Sequence, residues 1–191
     1  NERLITVSNA LKGDLIDRIG VKPKSIETIY NTFDFDLIRK LSKVNINIDD
    51  KFILHVGRFT EQKRHDILLK AFSKSNIEHK LVLLGSGFNR ESSIVIEIEK
   101  LLTTLDLVDR VIIIGYDENS YKYMSKADLF VLASDYEGMP MVLIESLILG
   151  TPVVSTDCPT GPSEILIDEL SSYLSPVGDV DRLAENIKRC V

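Results

Sequence analysis

The chain has 191 residues, with 23 Lys and Arg against 29 Asp and Glu, for a formal net charge of −6. That balance argues against a nucleic-acid binder that works by neutralising phosphates, though it leaves room for a local basic pocket. Apolar residues make up 44% and charged residues 27%, an ordinary globular composition, and no apolar run reaches the roughly 18 residues of a membrane span. No signal-peptide pattern points to export. Cys158 and Cys190 have no metal-ligand spacing, and so few thiols suit a reducing, cytoplasmic setting. The chain begins with Asn1 and stops inside a helix-like run (181–191), so it is expected to be part of a longer protein.

Residues 1–48 read as the end of a preceding N-terminal domain plus a linker. LITVS (4–8) predicts a strand, followed by a helix to about Arg18. IETIYN (26–31) predicts another strand, and NTFDFD leads into the polar stretch SKVNINIDD. From 49 to 191 the rhythm changes to short β-branched run, Gly or Asp turn, amphipathic helix. Strands are expected at 52–56, 80–85, 110–115, 128–134 and 151–156, with helices over 64–73, 90–105 and 118–126 between the first four. The runs are continuously apolar, as in a sheet covered on both faces. Alternation at this spacing predicts an α/β fold with a doubly wound parallel sheet, Rossmann-like.

In such a sheet ligands bind at the carboxyl ends of the strands. Gly57, Arg58 and Lys63 follow the first strand there, and Gly138 and Pro140 form a turn into a helix after the fourth. Pro140 is expected near the first helical position, leaving the N–H groups of Met141 and Val142 free at a helix N-terminus that suits phosphate. Arg58 and Lys63 add two positive charges, enough to neutralise a diphosphate without a metal. Glu137 and Glu145 stand in E-x7-E, about 12 Å apart along a helical rise. Glu145 lies in a helix with apolar residues on every side (Met141 to Leu149), which is therefore expected to be buried. An unpaired carboxylate there would cost several kcal/mol by order of magnitude, so its oxygens must meet a partner or a cleft. Each carboxylate suits a vicinal diol. Diol, diphosphate, diol is the polar layout of a nucleoside-diphosphate sugar.

G-R-x4-K (57–63), E-G-M-P-x4-E (137–145) and G-T-P-V-V-S-T-D (150–157), in that order and in one frame, resemble the donor-binding domain of retaining GT-B glycosyltransferases. More narrowly they are similar to glycosyltransferase family 4, many of whose members build bacterial surface polysaccharides such as capsule and lipopolysaccharide. The resemblance implies that this chain is the C-terminal half of a GT-B fold and a hexosyltransferase-type enzyme. It implies that Arg58 and Lys63 hold the diphosphate as it leaves, and that Glu137 binds donor-sugar hydroxyls. The backbone from Gly138 through Met139 and Pro140 to Met141 would contact phosphate and sugar, Glu145 the ribose, and the backbone at Tyr116 the base. Pro140 stands where many relatives have Gly. It has no N–H, so one phosphate contact should shift to Met141. The donor would be of UDP or GDP type, with no other cofactor and no nucleic acid partner. A carbohydrate or lipid-linked acceptor would sit on the missing N-terminal domain, with peripheral membrane contact possible outside this fragment. The fragment alone is expected to bind nucleotide weakly and transfer nothing.

Other signals read as structural. His55 is expected in the core or at a strand edge, and His65 and His79 at the surface, none as a catalytic base. Gly85 and Gly87 are turn glycines. Cys158, near the mouth, is expected to be inert. The D-x-D pairs at Asp34/Asp36 and Asp179/Asp181 fall in the linker and at a helix start, and neither is expected to hold a metal. Two rivals share the scaffold: a nucleotide-sugar epimerase, and a non-catalytic flavodoxin-like binding module.

Overall fold

The computed structural model describes residues 3–191. The order is β1 (Arg3–Thr6), α1 (Asn9–Gly13, continued by a π-helical turn over Asp14–Arg18), β2 (Ser25–Thr28), α2 (Phe35–Leu41), β3 (Phe52–Val56), α3 (His65–Ser75) and β4 (Lys80–Leu84). It continues with α4 (Ser93–Thr104), β5 (Val111–Gly115), α5 (Tyr121–Met124), β6 (Leu129–Leu132), α6 (Met141–Ile148), β7 (Val153–Thr156), α7 (Pro162–Ile165), β8 (Leu174–Ser175) and α8 (Val180–Cys190). Two sheets form. β1 and β2 make a small parallel pair. The other strands make one parallel six-stranded sheet in the order β5-β4-β3-β6-β7-β8. This is the doubly wound order, with its topological switch between β3 and β6.

The continuous apolar runs are explained by the two cores they feed. Ile53, Leu81, Leu83, Leu129, Val131 and Val154 pack on one face with α3, α4 and α8. Their neighbours Phe52, Leu54, Val82, Leu84, Phe130 and Leu132 point the other way, toward α5 and α6. Strand side chains alternate between faces, so a strand covered on both sides must be apolar at every position.

Three elements were not foreseen in the sequence: α2, α7 and the two-residue β8. Asp34 caps α2 by accepting from the Leu37 N–H at 2.9 Å, with Asp36 in the first turn and Arg39 and Lys40 in the last. Ile38 is its buried residue. Asn119 Nδ2 donates to the Leu41 carbonyl and Ser125 Oγ to that of Ser42, both at 3.0 Å. The stretch read as linker thus docks its later part on α5. Asp179 likewise caps α8, through the Arg182 N–H at 2.9 Å. Both D-x-D pairs therefore begin helices.

Three burial expectations are corrected. α6 is not buried all round: only Leu143 and Ser146 are fully covered. The helix lies on the sheet by one face, so its other apolar residues are partly exposed whatever their hydropathy. His65 is not on the surface either. It is 3% exposed, stacked on Phe59 at 4.7 Å between ring centres and edge-on to His55 at 5.0 Å. His79 is also largely covered.

Candidate active site at the sheet switch point

The loops that follow β3 and β6 meet at the carboxyl end of the sheet. Lys63 Nζ and Glu137 Oε1 form an ion pair at 2.6 Å, with only 13% and 10% of the two side chains exposed. The same Oε1 accepts from Ser134 Oγ at 2.6 Å, and Thr156 Oγ1 on β7 holds the Ser134 carbonyl at 2.7 Å. Gly57 makes room for this pair. A Cβ there would lie 2.9 Å from His55 Nε2 and 3.2 Å from Lys63 Cδ, so any side chain would displace the lysine stem.

The two loops are joined over three consecutive residues. The Asp135 N–H donates to the Gln62 carbonyl at 2.9 Å, and Gln62 Nε2 to the Tyr136 carbonyl at 2.5 Å. Arg64 spans Asp66 (Nε to Oδ1, 2.9 Å; Nη2 to Oδ2, 3.1 Å) and Asp135 (Nη1 to Oδ1, 2.9 Å). Its backbone is left-handed, at φ 46°, a conformation that costs a non-glycine residue about 1 kcal/mol. The Asp66 and Asp135 carboxylates raise the Arg64 pKa, Asp66 most. Gln62, Arg64, Ser134 and Asp135 were not singled out in the sequence.

A cavity of about 340 Å³ opens beside the pair. Gly57, Arg58, Lys63, Tyr116, Glu137 and Val142 line it, with Asp117 and Ser120 on its β5 side. Arg58 is exposed and makes no ion pair among the described residues. Tyr116 is 69% exposed. Asp117 is occupied: it pairs with Lys122 Nζ at 2.7 Å and accepts from the Asn119 N–H and Tyr123 Oη. Burial works against its charge, but these donors hold its pKa below the usual value. A wider cleft of about 840 Å³ near α7 and β8 includes Asp157 and Asp168 and no basic side chain, which suits an anion poorly.

Gly138, Met139, Pro140, Met141 and Glu145 do not line the cavity. Pro140 is the residue before α6 rather than its first helical residue, and its carbonyl accepts from the Leu143 N–H at 3.0 Å. The α6 N-terminus has no side-chain cap. The N–H groups of Met141 and Val142 make no backbone hydrogen bond among the described residues, as the first turn of a helix requires. Glu145 has no basic partner there. Its Oε1 accepts from Tyr121 Oη at 3.2 Å, and burial pushes its pKa up despite that bond. Tyr121, too, was missed in the sequence.

The buried imidazoles behind Gly57 are held neutral. Burial lowers His55 to about 3 and His65 to about 4, with Lys63 adding to both shifts. His55 Nδ1 donates to the Val131 carbonyl at 2.9 Å, so Nε2 is a lone-pair acceptor with no partner among the described residues. Cys158 is buried and its thiol pushed up to about 12, chiefly by that burial, which makes it a poor nucleophile.

Residues 38–191 match the family model for glycosyl transferases group 1. The chain belongs to that family. It is 35% identical, over 175 residues, to a Campylobacter jejuni N-acetylgalactosamine-N,N'-diacetylbacillosaminyl-diphospho-undecaprenol 4-alpha-N-acetylgalactosaminyltransferase, covering 92% of this chain and 47% of that protein. It is 28% identical over 183 residues to the lipopolysaccharide 1,6-galactosyltransferase of Escherichia coli, covering 92% and 48%. The chain therefore spans about half the length of the curated relatives it matches. Among solved structures, Anabaena HepE in complex with UDP and glucose superposes with a TM-score of 0.84 at 25% identity, over 97% of this chain and 52% of that one. A Rickettsia africae glycosyltransferase gives 0.84 at 22% identity, over 99% and 53%, a likeness of fold. The six-stranded unit is a GT-B half-fold of this glycosyltransferase family.

Proposed function

We propose that the protein of which this chain is part is a retaining hexosyltransferase. It moves a sugar from a nucleoside-diphosphate donor, of UDP or GDP type, to a carbohydrate or lipid-linked acceptor in surface polysaccharide assembly. The observation that carries this reading is the Lys63–Glu137 pair at the switch point, beside a cavity that also presents Arg58. The pair holds an ammonium at the cavity mouth, and a diphosphate that takes this cation must displace Glu137, which couples donor binding to release of the carboxylate. Relatives support the substrate classes: the C. jejuni protein is named for a diphospho-undecaprenol acceptor, and HepE was solved with UDP and with UDP-glucose.

In the reaction the bond from the sugar's anomeric carbon to the diphosphate oxygen breaks. The acceptor hydroxyl bonds to that carbon on the same face, and its proton passes to the departing diphosphate. Arg58, Lys63 and the Met141 and Val142 amides stabilise the leaving charge, which lets the reading dispense with a metal. Before that, as the donor binds, Lys63 leaves Glu137 and frees that carboxylate for sugar hydroxyls. Glu145 takes the ribose and the Tyr116 backbone the base. The acceptor site belongs to a preceding domain, of which residues 1–48 are the end and linker. Closure of that domain over the donor excludes water. We place the enzyme in the cytoplasm, acting at the inner face of the membrane. No helix among the described residues is long and apolar enough to cross one.

The test is a screen of the intact protein with UDP-, GDP- and ADP-sugars, reading the product. A new α-configured glycoside from an α-linked donor supports the proposal. An epimerised free nucleotide sugar, or intact fold with no nucleotide binding at millimolar concentration, contradicts it.

A further inference from the structure

Glu164 lies outside the cavity lining, yet both of its carboxylate oxygens are engaged. Its Oε1 accepts from the Ala10 N–H at 2.5 Å. Its Oε2 accepts from the Asn9 N–H at 3.0 Å and from Tyr30 Oη at 2.8 Å. Tyr30 is itself held by Asn9 Nδ2 at 2.7 Å. All three donors come from the unit built on β1 and β2. They complete the accounting at the start of α1: the Leu11 N–H goes to Ser8 Oγ and the Lys12 N–H to the Ser8 carbonyl. The first two amides have Glu164 as their acceptor, and a helix start without such partners is costly. Burial opposes the charge on Glu164, but these donors lower its pKa.

The segment that carries Glu164 is fastened at its other end to the turn after β6. Thr160 Oγ1 donates to the Glu137 carbonyl. Gly161 has φ +103°, and a Cβ there would fall 2.5 Å from Pro140 Cδ and 3.3 Å from both the Gly138 carbonyl and Met139 Cα. Only glycine fits this interlock. The β1–β2 unit also reaches the same turn directly. Val7 Cγ2 is 3.8 Å from the Cβ position of Gly138, and Asn31 Nδ2 contacts Met141 Sδ at 3.1 Å.

We infer that Glu164 is a positioning residue, whose carboxylate ties the Asn9 end of α1 to the Glu137–Met141 turn and so fixes the N-terminal unit against the donor site. The role in transfer rests on the function proposed above; the mechanical link does not. Charge-assisted hydrogen bonds to two backbone amides and a phenol make a stiff joint. The joint sets where a preceding domain stands relative to the donor sugar.

The test compares the intact wild-type protein with Glu164→Ala and Glu164→Gln, by amide hydrogen exchange and by transfer kinetics. Exchange should quicken about tenfold or more in Glu164→Ala at residues 9–12 and at the Leu143 N–H, which the Pro140 carbonyl holds at 3.0 Å, together, with β3 and β4 unchanged, and less in Glu164→Gln, which keeps one carbonyl acceptor. In the kinetics kcat should fall about tenfold or more while the donor KM moves less than about threefold, with a larger share of donor hydrolysed. Faster exchange confined to residues 9–12, or exchange and melting temperature that fall across the whole sheet, would overturn the inference. If wild-type protein binds no UDP or GDP, the proposed function fails, while exchange at the Leu143 N–H still decides whether Glu164 couples the two units.

Discussion

Glu137 and Glu145 belong to one motif, yet the structure treats them as opposites. Glu137 sits between a lysine and a serine, in a loop stitched to its neighbour on both sides. Glu145 sits mid-helix with one tyrosine hydroxyl for company, its charge disfavoured by burial. A carboxylate already satisfied must be displaced from its partner before it binds anything else. A carboxylate short of donors gains from any ligand that brings hydroxyls. The first kind suits a group whose partners change during a reaction, and the second suits a binding anchor.

The largest expected effect follows at the first corner. Lys63→Ala in the intact protein should lower kcat by about 10²- to 10³-fold, the usual loss on removing a donor to developing charge. An equal fall in kcat and kcat/KM would mark a contact made in the transition state; a pure KM change would erase the contrast. At the second corner, Glu145→Ala should weaken UDP or GDP binding about tenfold or more in calorimetry, by loss of hydrogen bonds to a charged acceptor. Glu137→Ala should leave that affinity nearly unchanged and impair transfer. If the two variants behave alike, the division of labour is wrong.

Arg64→Ala should cost about tenfold in kcat by loosening the loop that presents Lys63, and Arg64→Lys should not restore it, because a lysine cannot span Asp66 and Asp135 together. Full rescue by lysine would show that charge alone matters there. The smallest effect is on stability. The folded-state pKa of Glu145 is raised, so the folded chain holds its proton longer than the unfolded chain does, and stability falls as pH rises from about the ordinary value of 4.5 through the raised one. Glu145→Gln should remove this fall and melt slightly above wild type at pH 7, without ligand. A lower melting temperature for the variant would mean that the carboxylate is satisfied in the apo protein.

The strands were legible in the sequence because a sheet covered on both faces must be apolar at consecutive positions, as Phe52 to Val56 and Leu129 to Leu132 are. The carboxyl-end rule brought the Lys63 and Glu137 loops to one rim, but the strand order that makes β3 and β6 neighbours, and the ion pair itself, emerge only in the structure. What failed to show were features that depend on distant partners. Arg64 and Asp135 lie 71 residues apart, and Glu164 lies 155 residues from Asn9, so neither contact leaves a local pattern. α2 was missed because much of its apolar surface, including Phe35 and Leu37, stays exposed, leaving Ile38 as its buried anchor. His65 was misplaced because charged neighbours, Arg64 and Asp66, flank a ring that turns inward onto Phe59. For α6 hydropathy exaggerated burial: its covered residues are Leu143 and Ser146, whose hydroxyl returns to the Val142 carbonyl at 2.8 Å.

The most direct measurement is a crystal structure of the intact protein with UDP or GDP bound. The account predicts a diphosphate between Arg58 and Lys63, with Lys63 Nζ withdrawn from Glu137, and ribose hydroxyls on Glu145. A nucleotide bound elsewhere while the Lys63–Glu137 pair stays closed would contradict it.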